Sequence, residues 1–314
     1  MNTHEKNETF DALKRISVRD AKNQFLATWN MEFADEFRLS ERVFDEKILH
    51  ADNLMSEVSF ALVHKNHYVG MIVLKRSPKD DMFHVGLIHV KHVWRRKNIA
   101  TRMLRETMDK VTEKKPVIFV TGTEADCLLS GVPTESGRTF FEALGFKKTK
   151  ENMNLIAHHQ PSAIKAPDDD VTIRRAKHDD DKRMVHQINR EHFSIRWANE
   201  VNESDPYDIF VLRKNGSIIG YVRTGFPDGP VIPYSVNFHD AYECLGGIGP
   251  LGLLPTERGH GYGRYMVNYA LRALFDAGAS DVMVDWTSLK TFYRKCGFEA
   301  VHSRYVVYEK RSDD

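Results

Sequence analysis

The sequence is short of the features that would take it out of the ordinary globular class. It has three cysteines, Cys127, Cys244 and Cys296, widely separated and without a CxxC pair, so no disulfide framework is encoded and the thiols read as reduced. No stretch approaches the roughly 18 consecutive apolar residues of a membrane span. The opening Met1-Asn2-Thr3-His4-Glu5-Lys6 lacks the apolar run of a secretion signal, and the expectation is a soluble cytoplasmic protein. Neither sign of charge dominates. Lys plus Arg number 45 and Asp plus Glu 44, for a net charge of +1, which gives no broad field for nucleic acid or an anionic membrane. There is no HExxH and no Gly-Lys-Ser/Thr phosphate loop.

What is present suits two domains. The 314 residues, 41 % apolar and 28 % charged, suffice for two cores. A connector falls at Gln160–Asp170, where two prolines and three consecutive aspartates interrupt all apolar periodicity. The expected domains are 1–158 and 171–314. Both halves repeat one order of elements: a short strand, helical patterns, a hairpin, a strand, a basic loop, a long helix, a strand and a short helix ending in Gly-Phe. The hairpins turn at His64-Lys65-Asn66-His67 and at Lys214-Asn215-Gly216. The basic loops are Arg95–Ala100 and Arg258–Gly263, and the first half carries an insertion, Glu124–Thr134. Antiparallel strands followed by strand–helix–strand predict a mixed α/β sheet.

The loop Arg258-Gly259-His260-Gly261-Tyr262-Gly263 lies between an apolar strand and a helix expected from Arg264. Glycines let the backbone turn tightly with its N–H groups inward, and the helix mouth adds unpaired donors and partial positive charge. Such a corner solvates a pyrophosphate, with Arg258 adding a formal charge. A turn that only lets the helix pack is the plain alternative. The spacing is not the GxGxxG of dinucleotide folds.

This loop resembles motif A of the GNAT superfamily, and Phe292-Tyr293-Arg294-Lys295-Cys296-Gly297-Phe298 resembles its second signature, a Tyr shortly before Gly-Phe. The resemblance implies two tandem GNAT-like acyl-CoA N-acyltransferase domains with the working site in the second. It implies that Leu251 and Leu253 offer backbone groups to pantetheine. Arg258, Gly259, His260, Gly261, Tyr262, Gly263 and Arg264 would hold the pyrophosphate of acetyl-CoA. Tyr293 would protonate the leaving thiolate. Asp285 would accept the amine proton, orient the amine, or simply cap the next helix. Trp286 would wall the acceptor, stack on a sugar, or pack in the core.

The first half departs from the pattern. Asn98 replaces the first motif glycine in Arg95-Arg96-Lys97-Asn98-Ile99-Ala100, and Phe141 stands where Tyr293 does in the second half. A phenyl ring has no proton to give, so this half is expected to be non-catalytic. His84, His89 and His92 fall on different faces of the expected strand and read as sheet histidines rather than metal ligands. Gly246–Gly252, Asp285–Leu289 and Ser130–Pro133 are similar to tandem-GNAT glucosamine N-acetyltransferases. The implied acceptor is therefore a small-molecule amine, an aminosugar first. A peptide, antibiotic or thiol-cofactor precursor, or an acyl-CoA-binding module without turnover, are the alternatives. No metal, nucleic acid or membrane partner is expected, and a homodimer is left open.

Overall fold

A computed structural model describes residues 10–77, 81–112, 116–123, 127–177, 179–234 and 238–313. The polar Met1–Lys6 segment and residues 124–126 of the insertion lie outside them. In chain order the first half contains β1 (Lys14–Ile16), α1 (Val18–Phe37), α2 (Glu41–Phe44) with a following π-helical turn, β2 (Phe60–His64) and β3 (His67–Arg76). It continues with β4 (Met82–Val90), α3 (Ile99–Thr112), β5 (Ile118–Thr121), α4 (Glu135–Ala143) and β6 (Lys147–Ala157). The second half contains β7 (Val171–Arg175), α5 (Asp179–His192), α6 (Ile195–Glu203), β8 (Ile209–Lys214), β9 (Ser217–Gly225) and β10 (Leu245–Leu253). It ends with α7 (Tyr262–Asp276), β11 (Asp281–Thr287), α8 (Lys290–Lys295) and β12 (Ala300–Arg311).

Two compact units result, one of residues 10–152 with 304–313, the other of 153–234 with 238–303. The last residues of β6 are thus built into the second unit and the last residues of β12 into the first. In the first unit β1, β2, β3 and β4 pair antiparallel, β4 pairs β5 parallel, and β12 closes the sheet antiparallel to β5. In the second, β7, β8, β9 and β10 pair antiparallel, β10 pairs β11 parallel, and β6 closes antiparallel to β11. The mixed α/β sheet read from the element order is present in each unit.

Local chemistry explains the elements. Both hairpins use two-residue turns with both residues left-handed, Lys65-Asn66 (φ 48°, 64°) and Asn215-Gly216 (φ 49°, 81°), which match the strand twist. Helix α1 carries a kink at Phe33 (φ −135°). Asp181 in the first turn of α5 accepts the Lys177 N–H at 3.1 Å and pairs with Arg174 (2.7 Å) and Arg213 (2.6 Å). In the second unit Val267, Ala270 and Leu271 of α7 pack on Val222, Ile248 and Val282 of the sheet, all fully buried. Each large apolar side chain so buried contributes about 1.5–3 kcal/mol. Met103 and Leu104 of α3 do the same against Ile72, Leu74 and Phe119 in the first unit. No helix among the described residues is long and apolar enough to cross a membrane.

The connector is more ordered than its composition suggests. Gln160 bonds Asp276 (2.6 Å), Arg272 bonds the Pro161 carbonyl (3.0 Å), Asn268 bonds the Ser162 carbonyl (2.8 Å), and the Tyr262 hydroxyl bonds Asp168. Asn268, Arg272 and Asp276 recur every fourth residue, so one polar stripe of α7 receives Gln160, Pro161 and Ser162.

Candidate active site

The site starts where two strands part. Parallel pairing of β10 with β11 runs from Leu245↔Asp281 to Ile248↔Val284 and stops there. β10 continues along β9 instead, through Leu251↔Val222 to Leu253↔Gly220, after a bulge between Ile248 and Leu251. β11 has its own bulge against β6 between Val284 and Thr287. A bulge bends its strand and raises the local twist, and the two stand at the same level on either side of the split. The Leu254 N–H bonds the Ile219 carbonyl at 2.9 Å, toward β9. Strand alternation then turns the backbone groups of Leu251 and Leu253 to the freed edge. The Leu253 carbonyl accepts from Arg258 Nε at 3.3 Å.

Beyond β10 the chain makes a short helical turn at Pro255–Glu257 and enters the glycine loop. Gly259 (φ 87°) and Gly261 (φ 83°) are both left-handed, a conformation that costs other residues but not glycine. Helix α7 begins at Tyr262, two residues before the expected Arg264, so the N–H groups of Tyr262, Gly263 and Arg264 fall in its first turn without helical acceptors. Arg258, His260 and Arg264 are exposed, while Tyr262 is fully buried. The Tyr262 ring is buried in the core cluster, with Lys214 Nζ 5.3 Å from its centroid and the His260 ring of the loop 5.6 Å away.

Tyr293 on α8 is 6 % exposed and packs edge-on to Phe292 (5.0 Å) and Phe298 (5.3 Å). Burial pushes its phenol well above the ordinary value, and the Cys296 and Asp285 charges add to this. The hydroxyl is therefore protonated across the neutral range, and it bonds to none of the described residues. Asp285 and Trp286 form the β11 bulge. Trp286 is left-handed (φ 48°), and its N–H donates to Oδ1 of the fully buried Asn154 at 3.0 Å.

Three charged residues absent from the sequence reading complete the surroundings. Arg223 of β9 is 4 % exposed; its Nε donates to the Gly249 carbonyl at 2.7 Å and its Nη1 to that of Val231 at 3.4 Å. Burial lowers its pKa, and Glu200, Asp285 and Asp208 pull the other way in that order. Arg196 of α6 lies over the Trp286 ring, 4.1 Å from its centroid, and pairs with Glu200 at 2.5 Å. The signal for α6 was legible: Ser194 accepts from the Trp197 N–H as a cap, Ile195, Ala198 and Val201 recur every third residue, and Arg196 with Glu200 is a charge pair at i, i+4. Nothing in the sequence marked Arg223 apart from other strand-end cations.

The first unit builds the same loop with different side chains. Arg96 (φ 62°) and Asn98 (φ 63°) hold the left-handed positions of Gly259 and Gly261, and Arg95 Nε donates to the Val90 carbonyl at 2.8 Å as Arg258 does to Leu253. There, however, Glu32 of α1 accepts the His92 N–H at 2.9 Å and pairs with Arg95 and with His89. The cationic loop is thus met by the unit's own carboxylate. Phe141 packs edge-on to Phe146 at 5.1 Å, the contact Tyr293 makes with Phe298. His84 faces the Gly122 carbonyl and His89 the Tyr68 hydroxyl, while His92 lies past the strand in a short helical turn. Among the described residues no three His, Cys, Asp or Glu are placed to hold a metal ion. Cys296, 3 % exposed, packs under α8 with its thiol pushed up to about 11 by burial.

This split above a left-handed glycine loop is matched by known folds. Residues 174–298 match the model described as "Acetyltransferase (GNAT) family", and residues 18–155 the model described as "Acetyltransferase (GNAT) domain". The chain belongs to the GNAT acetyltransferase family. No curated protein matches the sequence. Among solved structures, a GCN5-related glucosamine N-acetyltransferase region of a fungal multi-domain GH3 β-N-acetylglucosaminidase is similar over 95 % of this GNAT chain, with TM-score 0.83 and 18 % identity. The chain spans 38 % of that protein's length. A tandem GNAT protein from the clavulanic acid biosynthesis pathway matches over 95 % of this chain and 98 % of its own, with TM-score 0.67 and 13 % identity. Saccharomyces cerevisiae N-myristoyltransferase with bound myristoyl-CoA matches over 95 % and 78 %, with TM-score 0.57 and 11 % identity. At these identities the likeness is one of fold.

Proposed function

We propose that the chain transfers the acetyl group of acetyl-CoA to a small primary amine, an aminosugar before others, in the second unit. The observation that carries this reading is the pair of facing bulges that part β10 from β11 beside the loop of Gly259 and Gly261. The pyrophosphate would rest on the loop amides, with Arg258 and Arg264 nearby, and pantetheine along the freed edge at Leu251 and Leu253. The thioester carbonyl would then reach the level of the bulges, between Asp285 and Tyr293.

The chemistry is direct aminolysis. The neutral amine attacks the thioester carbonyl, its proton passes to Asp285 or to water held there, and the carbon–sulfur bond breaks. The thiolate takes its proton from the Tyr293 hydroxyl, which burial keeps protonated. The first unit, the domain read as 1–158, serves as a non-catalytic partner: Phe141 carries no proton and Glu32 already meets its loop. The fungal glucosamine N-acetyltransferase region supports the aminosugar choice as analogy.

A thiol-release screen with acetyl-CoA against glucosamine, amino acids, polyamines and aminoglycosides tests the reading. Release of CoA with glucosamine is the expected result. Release with another amine alone would replace the acceptor. Binding of acetyl-CoA without turnover would overturn catalysis and leave a binding module.

A further inference from the structure

Trp286 is held where a tryptophan resists being held. Its φ of 48° lies in the left-handed region, which is costly for a bulky side chain and marks stored strain. The fully buried Asn154 fixes that backbone through its side-chain oxygen. The indole so presented carries a guanidinium on its face, and a carboxylate one helical turn from that guanidinium binds it in turn. An aromatic face beside a carboxylate is the environment that retains ammonium and guanidinium ions.

We propose that Trp286 and Glu200 form the cation-recognition site for the acceptor amine, and that Arg196 fills it in the free protein as an internal competitor. The inference rests on the acetyl-transfer reading for its role, because Trp286 directly follows Asp285 and a cation docked on the indole arrives beside that carboxylate. Arg196 and Glu200 both stand on α6, at i and i+4, so swinging Arg196 outward needs no backbone movement and leaves Glu200 in place. Glu200 also acts on the buried Arg223, as Asp285 does, which puts both carboxylates around one fixed cation. The ligand class follows from this set: a small primary amine, captured as its ammonium ion, which gives one proton to water before the neutral amine attacks, with guanidino compounds as competitive inhibitors.

The test uses the full chain without acetyl-CoA. Methylguanidinium and methylammonium are titrated at constant ionic strength into the parent, Arg196→Met and Arg196→Gln, with tryptophan fluorescence as readout and circular dichroism to confirm folding. Removing the competitor is expected to tighten both ions by roughly three- to tenfold. Arg196→Lys should bind as the parent does, and adding Glu200→Gln to Arg196→Met should abolish the saturable response. Equal binding by parent and both neutral variants, or a response that survives Glu200→Gln, overturns the proposal. If cations bind as expected but no amine is acetylated, the pocket stands and the acetyl-transfer reading falls.

Discussion

Arg223 donates through Nε to the carbonyl of Gly249 at 2.7 Å, and so fastens β9 to the residue at which β10 turns away from β11. The same guanidinium is the buried cation among Glu200, Asp285 and Asp208. Arg223→Met would leave the Gly249 carbonyl without this donor and remove the buried cation from among Glu200, Asp285 and Asp208. Leaving a buried acceptor unsatisfied costs about 1–3 kcal/mol, so the urea midpoint should fall, with Arg223→Lys intermediate. An unchanged midpoint would show that the guanidinium is not what holds the bulge.

Tyr293→Phe should lower kcat by at least about 100-fold, the low end of general acid assistance. The affinity for acetyl-CoA should stay as it is, because the ring and its contacts with Phe292 and Phe298 are kept. Phe141→Tyr in the first unit should add no activity. Unaltered turnover in the first variant, or new turnover in the second, contradicts the assignment of the acid.

How much of this was legible beforehand follows from what the residues do locally. The loop and Tyr293 could be read because left-handed glycines at a helix mouth and a phenol before Gly-Phe leave marks in the sequence. The repeat of elements gave the mixed sheet. The bulge at Asp285-Trp286 could not be read, because it depends on β6 pairing with β11 and on Asn154, far away in the chain. Arg223 was hidden for the same reason: only the fold surrounds it with carboxylates. The exchange of the ends of β6 and β12 leaves no local trace either.

Asp181 gives the fold a measurable acid limit. Burial opposes its ionisation, but hydrogen bonds from Arg174, the Lys177 backbone and Arg213 hold its pKa at about 2, below the ordinary 3.8. A carboxyl depressed in the folded state adds stability above its unfolded pKa and loses it as pH falls through the folded one. The contribution at neutral pH is about 2 kcal/mol. Asp181→Asn should therefore destabilise at pH 7, with the difference from the parent shrinking between about pH 4 and pH 2. A difference that does not vary with pH would mean the network acts through packing.

The thiols should separate by exposure. Cys127 and Cys296 are buried, and the Cys296 thiol is pushed up to about 11, whereas Cys244 is partly exposed. Reaction of the native chain with a thiol reagent at neutral pH should label Cys244 first and the other two only on unfolding. Rapid labelling of Cys296 would show that α8 opens readily.

The most direct measurement is calorimetric titration of acetyl-CoA into Gly261→Glu and Asn98→Glu. Each variant puts a carboxylate at the left-handed position before a long helix, one in each unit. Gly261→Glu should weaken binding by about 100-fold or more, since it sets a like charge at the pyrophosphate amides and strains their turn. Asn98→Glu should bind one acetyl-CoA per chain with the parent's affinity. Parent-like binding by Gly261→Glu would contradict the claim that these amides hold the coenzyme.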